Sequence, residues 1–516
     1  MKSKFYIYIL PLLAIVPIFI FRDYTPDNEL RYISIIEEAL RNGSLFAFHN
    51  QGVAYADKPP LYFWLLMACR HITGENIMLL IGLFTLIPTV VIFYVMNNLS
   101  FGKHENVKAT PILMLLTSVM FIGSALVIRM DMLMVMFIIL ALYNFYRIYT
   151  KTNNKWDSYF LPLNIFLALF TKGPVGLLAP IVAIAVFLFS EHKLKDFGHY
   201  LGLKQWTIIV SLAAIWFTGV ALEGGSEYVN NLLFKQTIGR GINSFHHKEP
   251  FYYYLQTIWY TAAPWSLLCV VVMIKGFQKR IIQHNTLLKF YSVIILSTLV
   301  TLSLISSKID IYLLPIYPFL IYLTVLLLKE IKIDWVIKSS IFLPSIILFL
   351  TPLSLLFDDV LLPIIPPNMW LIYLGIIILC LGGFCGAVFA LKGHIKKASL
   401  SISTSLLIAI FVMSFTVPYF NDIIGFRNMS LTAKKAAMEN GITSYAFYQF
   451  RGGENMDVFL KTKLKQVKDM KELKTIHETI FFVREKDINS QDSLKEFLRY
   501  TPMIKKVGDF EIYIIK

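Results

Sequence analysis

Long apolar runs recur along most of this chain, and short polar segments separate them. Most runs have about 17–22 residues, which is enough to cross about 30 Å of hydrocarbon at about 1.5 Å per residue. We therefore predict a polytopic α-helical membrane protein with about thirteen spans, near residues 5–21, 77–97, 109–128, 132–149, 159–171, 173–190, 206–222, 259–274, 287–305, 311–328, 339–357, 369–391 and 399–417.

Two of the segments between the spans are long. Residues 22–76 contain apolar positions at helical spacing between Leu30 and Leu40, and Pro59 with Pro60 opens a second helical stretch. Such amphipathic pieces are typical of interfacial helices that lie on a membrane surface. Residues 223–258 form the second long segment, so we predict two large loops on one side of the membrane.

After residue 418 the composition changes abruptly to a mixture rich in lysine and glutamate. The pattern predicts a small α/β domain over 419–516, following a transmembrane domain over 1–418. Its expected elements are strands at 443–449 and 478–483, helices near 430–440 and 491–499, and a strand pair near 504–515.

The charge pattern orients the chain. The protein has 516 residues, of which 56% are hydrophobic and 16% charged, with 48 Lys and Arg against 33 Asp and Glu. Every second loop is basic, and basic loops remain cytoplasmic, so the excess charge indicates topology and no nucleic-acid partner. We expect an uncleaved first span with the N-terminus inside. Both long loops and the 419–516 domain then lie outside.

Acidic residues stand at two outer boundaries. Asp27 and Glu29 follow the first span, and Asp131 lies two residues after Arg129 between apolar runs. Helix capping explains the first pair, and a simple Arg129–Asp131 ion pair explains the second. The alternative interpretation is a functional role for these acids. Ionisable groups at the edge of a bilayer cost about 2–4 kcal/mol each and usually face a polar cavity.

Lysines occur on the same side, where the positive-inside rule gives no reason for them. Lys172 and Lys308 stand at short outer turns, and Lys58 precedes Pro59 and Pro60. Lys58 is either an interfacial anchor or a fixed cationic ligand. The pair His246–His247 is more typical of a surface than of a zinc site. The four cysteines, Cys69, Cys269, Cys380 and Cys385, lie in or beside apolar runs and predict neither disulfides nor a zinc finger.

These residues suit one type of chemistry if the outer segments meet. Bases neutralise an anionic group, and an acid accepts a proton. Sugar transfer from a lipid phosphate needs both, because the leaving phosphate must be neutralised and the acceptor hydroxyl deprotonated. No P-loop, dinucleotide glycine motif or Ser-His-Asp signature indicates a soluble nucleotide donor.

The order of the motifs resembles the bacterial aminoarabinose–lipid A transferases and the related protein O-mannosyltransferases. These are polyprenyl-phosphate-dependent membrane glycosyltransferases of the C type. The resemblance rests on Asp27/Glu29-Leu-Arg31-Tyr32, Asp57-Lys58-Pro-Pro-Leu-Tyr62, Arg129-Met-Asp131, Thr171-Lys172-Gly-Pro-Val, His247-Lys-Glu-Pro-Phe-Tyr and Ser307-Lys308 to Tyr312-Leu-Leu-Pro. It implies about thirteen spans, two interfacial helices in the first outer loop and a C-terminal periplasmic domain.

The resemblance also implies roles for single residues. Asp27 or Glu29 is the expected base, with Asp131 a second catalytic acid. Donor phosphate is expected at Lys58, Arg129, Lys172 and Lys308, and substrate at Arg31, Tyr32, Tyr62 and Tyr312. A divalent metal, zinc or magnesium, is an optional cofactor with Asp57 and His247 as its ligands.

One departure from the family leaves the identity of the base open. The family writes Asp-Glu-x-Arg-Tyr, whereas here Asn28 occupies the usual Asp position when residues are counted back from Tyr32. Glu29 keeps its place, and Asp27 takes the role only through a shift of one residue. We favour Asp27.

The expected partners are a polyprenyl-phosphate sugar donor, a lipid A, glycan or protein acceptor, and membrane lipids. The expected reaction is an inverting sugar transfer. The alternative is a transporter or flippase for an anionic lipid or solute. Transporters commonly place ionisable sites at mid-membrane and contain internal repeats, whereas these charged motifs stand at one face and no repeat is detected.

Overall fold

The computed structural model describes residues 6–102, 108–234, 248–356 and 369–516. The chain forms two compact units that share its length. The first unit consists of Met1–Pro17, Ala56–Tyr62 and Gly82–Phe415. The second combines Ile18–Tyr55, Phe63–Ile81 and Thr416–Lys516, so part of the first outer loop belongs with the tail. The predicted domain boundary at residue 418 stays a prediction.

The multi-pass membrane architecture is confirmed. Within the described ranges, eight helices are long and apolar enough to cross a membrane: Met78–Phe101, Asp131–Tyr149, Leu203–Phe234, Thr286–Leu304, Asp310–Glu330, Trp335–Leu356, Trp370–Leu391 and Ile395–Ser414. Two bent pairs bring the number to ten if each is one span. These are Ala109–Leu116 with Val119–Leu126, bent by 74°, and Tyr253–Thr261 with Ser266–Gln278, bent by 118°.

The predicted number of thirteen spans is not confirmed, because three of the predicted spans are interrupted or short helices. The first predicted span is divided into Tyr6–Ile9, a 3-10 turn over Leu10–Ala14 that contains Pro11, and Val16–Phe21. Farther along, Asp157–Lys172 and Pro174–Ser190 have 16 and 17 residues and are separated by Gly173. Gly173 has a φ of 102°, a conformation that favours glycine.

Helix packing in the first unit follows chain order closely. Trp370–Leu391 packs against both Ile395–Ser414 and Trp335–Phe349, and Asp131–Tyr149 packs against Asp157–Lys172. Gly176 allows the next helix to approach closely, because a Cβ there would lie 2.3 Å from the Ala168 backbone. Shorter elements of the unit are Leu194–Asp196, Phe197–Tyr200, Ile281–His284, Asp310–Ile316 and Thr351–Leu356, of which Asp310–Ile316 is a 3-10 helix within the span Asp310–Glu330.

The first outer loop contains the two predicted helices, Arg31–Asn42 and Leu61–Thr73. A π-helical turn over Pro26–Leu30 precedes the first helix, and the Leu30 amide donates to the Thr25 carbonyl at 3.0 Å. That turn accommodates one residue more than an α-helical turn does. A two-strand hairpin, β1 (His49–Asn50) and β2 (Val53–Ala54), joins the two helices.

The tail has the predicted small α/β fold. Its sheet has the order β4-β3-β5-β7-β6, with β3 parallel to β4 and β5, and β7 antiparallel to β5 and β6. The strands are β3 (Ser444–Tyr448), β4 (Lys465–Val467), β5 (Thr479–Arg484), β6 (Met503–Val507) and β7 (Phe510–Ile515). The helices are Val417–Phe420, Asn421–Ile424, Arg427–Glu439, Gly453–Met456, Asp457–Leu460, Met470–Leu473, Glu485–Ser490 and Asp492–Arg499.

One hydrophobic cluster of the tail lies on one face of this sheet, and the alternate residues Phe447, Ile480 and Phe482 are buried on the other face. Alternate residues of the central strands, such as Ala446, Phe481 and Val483, pack with Leu494 and Leu498 of the helix Asp492–Arg499. Alternation along a strand places such residues on one face. Strand β4 was not predicted because it has only three residues, two of them exposed at the sheet edge.

Asp457 gives the second unit a testable pH dependence. The residue is 4% exposed, and burial raises the pKa of its carboxyl to about 6, with Ser34, Gln51 and Arg41 partly offsetting this. The folded state therefore binds the proton more tightly than the unfolded chain. The contribution to stability is present below about pH 4 and is lost as the pH rises through 6.

We expect this unit to melt at a lower temperature at pH 7.5 than at pH 5, by an amount equivalent to about 1–3 kcal/mol. Asp457→Asn should flatten the melting temperature across this window. Glu496→Gln, which removes an exposed carboxyl from the same unit, is the control and should keep the slope. An unchanged slope in Asp457→Asn would contradict the assignment.

Candidate active site

A buried carboxylate in the first unit is paired with two cations. Asp131 begins the helix Asp131–Tyr149 and is 1% exposed, and the Lys172 ammonium donates to its Oδ1. The Arg129 Nε lies 3.1 Å from its Oδ2. Lys172 is the last residue of Asp157–Lys172, so the acid stands at a helix N-terminus and the base at a C-terminus, as the helix dipoles favour.

Three positive charges act on the Asp131 carboxylate. The third is that of Lys58. We call Lys58, Arg129 and Lys172 the cationic cluster. The Lys172 Nζ is also 4.9 Å from the centre of the Tyr312 ring. The structure thus brings together five of the predicted residues, and the arrangement suits an anionic ligand.

Lys308 has a different environment. It is 4% exposed, and its ammonium donates to the Glu249 carbonyl at 2.9 Å. Burial lowers the pKa of Lys308, with the charge of Glu249 partly offsetting the shift. Within the described part of the chain Lys308 contacts Glu249 and not the Asp131 carboxylate. Its role in binding donor phosphate stays a prediction.

Asp310, two residues after Lys308, forms a polar site that the sequence did not predict. Its carboxylate accepts hydrogen bonds from the hydroxyls of Tyr253, at 2.6 Å, and Tyr260, at 2.8 Å. It begins the 3-10 helix that carries Tyr312 and packs against Asp131–Tyr149. The segment Ser306-Ser307-Lys308-Ile309-Asp310 contains both charged residues, but only Lys308 was predicted to bind a ligand.

In the second unit, both carboxylate oxygens of Glu29 accept hydrogen bonds from neighbouring groups. Its side chain is 0% exposed and forms a two-pronged pair with Arg22, with both N–O distances 2.6 Å. Oε2 also accepts from the Thr25 amide at 2.8 Å and the Thr25 hydroxyl at 2.9 Å. Glu29 therefore stabilises the π-helical turn and ties it to the preceding helix.

Asp27 lies on the other side of the same turn and is 33% exposed. Its Oδ2 is 3.0 Å from the Arg451 Nε, and its Oδ1 is 3.9 Å from an Arg31 nitrogen. Among the described residues Oδ1 is buried and has no hydrogen-bond partner. Gly452 approaches it closely, because a Cβ there would lie 3.1 Å from Oδ1. Of the two candidate bases, Asp27 keeps an oxygen free to accept a proton.

Arg451 was missed by sequence analysis, although one signal could have found it. It lies in the loop after β3, at the carboxyl end of a parallel strand. Loops at that edge of a parallel sheet commonly bind ligands. Its contact with Asp27 joins residues that are far apart in the sequence, and propensity or periodicity does not predict such a contact.

Arg31 and Arg451 also line a cleft of about 660 Å3 within the second unit. Its walls carry the amide side chains of Asn50, Gln51, Gln449 and Gln466 and the aromatic rings of Tyr55, Phe447 and Phe450. Amide groups hydrogen-bond hydroxyls, and aromatic faces pack against the C–H faces of a sugar ring. The cleft therefore has the composition of a binding site for a polar ligand.

Two predicted substrate-binding tyrosines are in packed surroundings. Tyr32 is 4% exposed, and its ring lies edge-on to Phe63 with a centre distance of 5.6 Å. Tyr62 is 0% exposed. Their predicted contacts with substrate stay predictions.

The predicted metal site falls partly outside the described residues, because His247 lies there while Asp57 is described. In the described ranges no group of three or more His, Cys, Asp or Glu side chains has the arrangement to hold a metal ion. Asp57 alone does not form a coordination set, and the predicted metal site stays a prediction.

Comparison with known proteins supports the resemblance. Residues 57–216 match the family described as dolichyl-phosphate-mannose-protein mannosyltransferase. An undecaprenyl phosphate-alpha-4-amino-4-deoxy-L-arabinose arabinosyl transferase from Serratia proteamaculans is 24% identical over 299 residues, or 57% of this chain and 53% of the relative. The corresponding transferase from Aeromonas hydrophila is 27% identical over 301 residues, or 57% of this chain and 54% of the relative.

The fold agrees over almost the whole length. The crystal structure of ArnT from Cupriavidus metallidurans bound to undecaprenyl phosphate superposes with a TM-score of 0.75 at 14% identity, covering 98% of this chain and 97% of that one. The predicted family resemblance is confirmed. The chain has the fold of ArnT, and in sequence it aligns with about half the length of the curated arabinosyl transferases.

Proposed function

We propose that the protein is an inverting glycosyltransferase that moves a sugar from a polyprenyl-phosphate donor to an envelope acceptor. The reaction would take place at the outer face of a bacterial inner membrane, where the long loops and the tail are expected. The arabinosyl transferases that the chain resembles are named for undecaprenyl-phosphate donors. The observation that carries the proposal is the cationic cluster around Asp131.

The charge of this cluster fits the change that the donor undergoes. A polyprenyl-phosphate sugar is a phosphodiester with one negative charge, and the departing polyprenyl phosphate gains a second as the bond to the anomeric carbon breaks. The positive charges of the cluster therefore stabilise the transition state more than the bound donor. Asp131 orients Lys172 and Arg129, so its expected part in catalysis is to hold these cations in place.

We propose Asp27, and not Glu29, as the base. The acceptor hydroxyl attacks the anomeric carbon from the face opposite the phosphate, its proton passes to the carboxylate, and the electron pair of the broken C–O bond remains on the phosphate. The Oδ1 of Asp27 has no hydrogen-bond partner among the described residues, which supports this role, whereas both oxygens of Glu29 accept hydrogen bonds.

Substitutions of Lys58 distinguish the role of a phosphate ligand from that of a membrane anchor. An anchor tolerates arginine, which also reaches the interface and stays charged. A compact ligand next to Pro59 and Pro60 does not, because the guanidinium is planar and has a different reach. We expect Lys58→Arg and Lys58→Ala to raise the donor KM at least about tenfold, with little change in the acceptor KM.

Steady-state kinetics with varied donor would measure this effect. The control is Lys204→Gln, which removes a lysine packed 3.6 Å from the centre of the Tyr159 ring, outside the cluster. A fully active Lys58→Arg protein at all donor concentrations would mean that Lys58 is an anchor.

The cleft lined by Arg31 and Arg451 is the proposed acceptor site, and its amide and aromatic lining favours a carbohydrate-containing acceptor over a peptide. Arg451→Gln should raise the acceptor KM about tenfold, because a charged hydrogen bond is worth about 1.5–3 kcal/mol, and leave the donor KM unchanged. Arg499→Gln, in the same unit but with its guanidinium over Tyr500, is the control. An effect confined to donor binding would contradict this assignment.

The overall proposal is tested by comparing envelope lipids, glycans and glycoproteins from cells with and without the protein. Thin-layer separation and mass spectrometry should reveal one sugar that is missing in its absence. Purified protein should then transfer that sugar from its undecaprenyl-phosphate form and release undecaprenyl phosphate. An unchanged envelope, together with no transfer from any polyprenyl-phosphate sugar, would refute the function.

A further inference from the structure

A second large cavity lies in the first unit, at the ends of membrane-crossing segments. Its volume is about 740 Å3. The ends of two spans, Met78–Phe101 and Asp310–Glu330, line it together with the beginnings of helices Ala109–Leu116 and Ile395–Ser414. Successive spans run in opposite directions, so these ends and beginnings share one face of the bundle. Loop charge predicts that this face is cytoplasmic, whereas the cationic cluster comes from segments predicted to be external.

The charge of this cavity is strongly one-sided. Lys108, Lys329, Lys396 and Lys397 line it, and no aspartate or glutamate occurs among its described lining residues. The Lys329 Nζ lies 4.5 Å from the centre of the Phe101 ring, which also lines the cavity. Positive-inside loops explain lysines near this face, but they do not require four of them around one cavity.

Two helix beginnings add to the positive potential. The residues that precede Ala109–Leu116 and Ile395–Ser414 are Lys108 and His394, and neither provides a side-chain capping hydrogen bond. The side chains of these two preceding residues therefore do not occupy the first amides of either helix. The positive ends of the helix dipoles act in the same direction.

The remaining wall is apolar, with Met114, Val325, Leu328, Ile333 and Leu400. A small inorganic anion would use the lysines and leave this wall unfilled. An amphiphile with an anionic head and hydrocarbon chains would satisfy both parts. Basic pockets between membrane helices on the cytoplasmic side are suited to phospholipid headgroups.

We propose that this lysine-lined cavity binds an anionic phospholipid of the cytoplasmic leaflet. The phosphate lies among the four lysines and the two helix beginnings, and the proximal parts of the acyl chains lie along the apolar wall. The site is separate from the proposed transfer chemistry and does not depend on it.

Native mass spectrometry of the full-length protein in detergent tests this inference. The probes are phosphatidylglycerol, phosphatidylcholine with the same acyl chains, glycerol 3-phosphate and inorganic phosphate. Phosphatidylglycerol should bind at least about tenfold more tightly than phosphatidylcholine, because each nearby lysine adds about a fivefold preference for an anionic head. The two soluble phosphates should bind far more weakly, because they lack acyl chains.

Three variants locate the site. Lys396→Gln with Lys397→Gln should weaken phosphatidylglycerol binding about tenfold or more. Ala109→Phe should weaken it as well, since the ring fills the cavity while every lysine remains. Lys151→Gln with Lys195→Gln is the matched control, because both residues are exposed lysines in other loops predicted to be cytoplasmic. Thermal unfolding of each variant without lipid verifies that it is folded.

Four results would overturn the proposal. Equal binding of both phospholipids would remove the charge argument, and equal binding of inorganic phosphate would indicate a simple anion site. Equal losses in the control pair and the Lys396/Lys397 pair would indicate general surface attraction. A folded Ala109→Phe protein that binds phosphatidylglycerol normally would exclude the cavity.

Discussion

Replacing Lys172 by glutamine is expected to lower sugar transfer by about 10²–10³-fold. Lys172 has a side chain only 7% exposed, and it contacts Asp131 directly. Its loss removes one of the positive charges that stabilise the departing phosphate. The measurement is turnover of purified, folded protein at saturating donor and acceptor.

The same change also leaves Asp131 buried with fewer partners, so stability must be measured separately. Removing one partner of a buried ion pair typically costs about 3–5 kcal/mol. The double variant Asp131→Asn with Lys172→Gln removes both charges and should recover much of the lost stability, yet remain slow because the positioned ammonium is missing. If folded Lys172→Gln protein turns over within a few-fold of the native rate, the cluster does not bind the leaving group.

Asp27→Asn and Glu29→Gln should have opposite effects. Asp27→Asn should lower turnover by about 10²-fold or more with the melting temperature almost unchanged, because a positioned proton acceptor is typically worth about 10²–10⁴. Glu29→Gln breaks the buried pair with Arg22 and should cost about 3–5 kcal/mol of stability. The Glu29→Gln molecules that remain folded should transfer sugar within several-fold of the native rate.

Turnover per folded molecule and thermal unfolding, measured on the same preparations, distinguish the two residues. Glu37→Gln is the matched control for Glu29, because Glu37 lies in the same loop and pairs with Arg70 at 2.6 Å. The reverse pattern, with Asp27→Asn active and Glu29→Gln inactive but stable, would assign the base to Glu29.

The sequence predicted features that depend on local pattern or on membrane cost. Hydropathy located the membrane-crossing segments, and alternation located the main strands of the tail. Arg129, Asp131 and Lys172 were predicted as site residues because charged groups beside apolar runs are energetically unfavourable. The structure brings these three residues together. The same reasoning applied to Arg22 would have flagged the partner of Glu29.

The features that the sequence did not predict are those that depend on tertiary contacts. Asp27 and Glu29 look alike in the sequence, and only the π-helical turn, which directs them to different partners, distinguishes them. Arg451 reaches Asp27 from a loop of the tail, and no periodicity encodes that approach. The N-terminal span was predicted as one continuous helix, because hydropathy does not register the 3-10 turn that contains Pro11.

The interleaving of the second unit has a consequence for biosynthesis. Asp23 accepts a hydrogen bond from the Arg427 amide, 404 positions later. At about 5–20 residues per second, the first outer loop emerges about 20–80 s before that partner is made. During translation Asp27 therefore lacks Arg451, and the candidate base acquires its surroundings among the last steps of folding. Ribosome-bound chains that end before the tail should insert into the membrane while their first outer loop stays sensitive to protease.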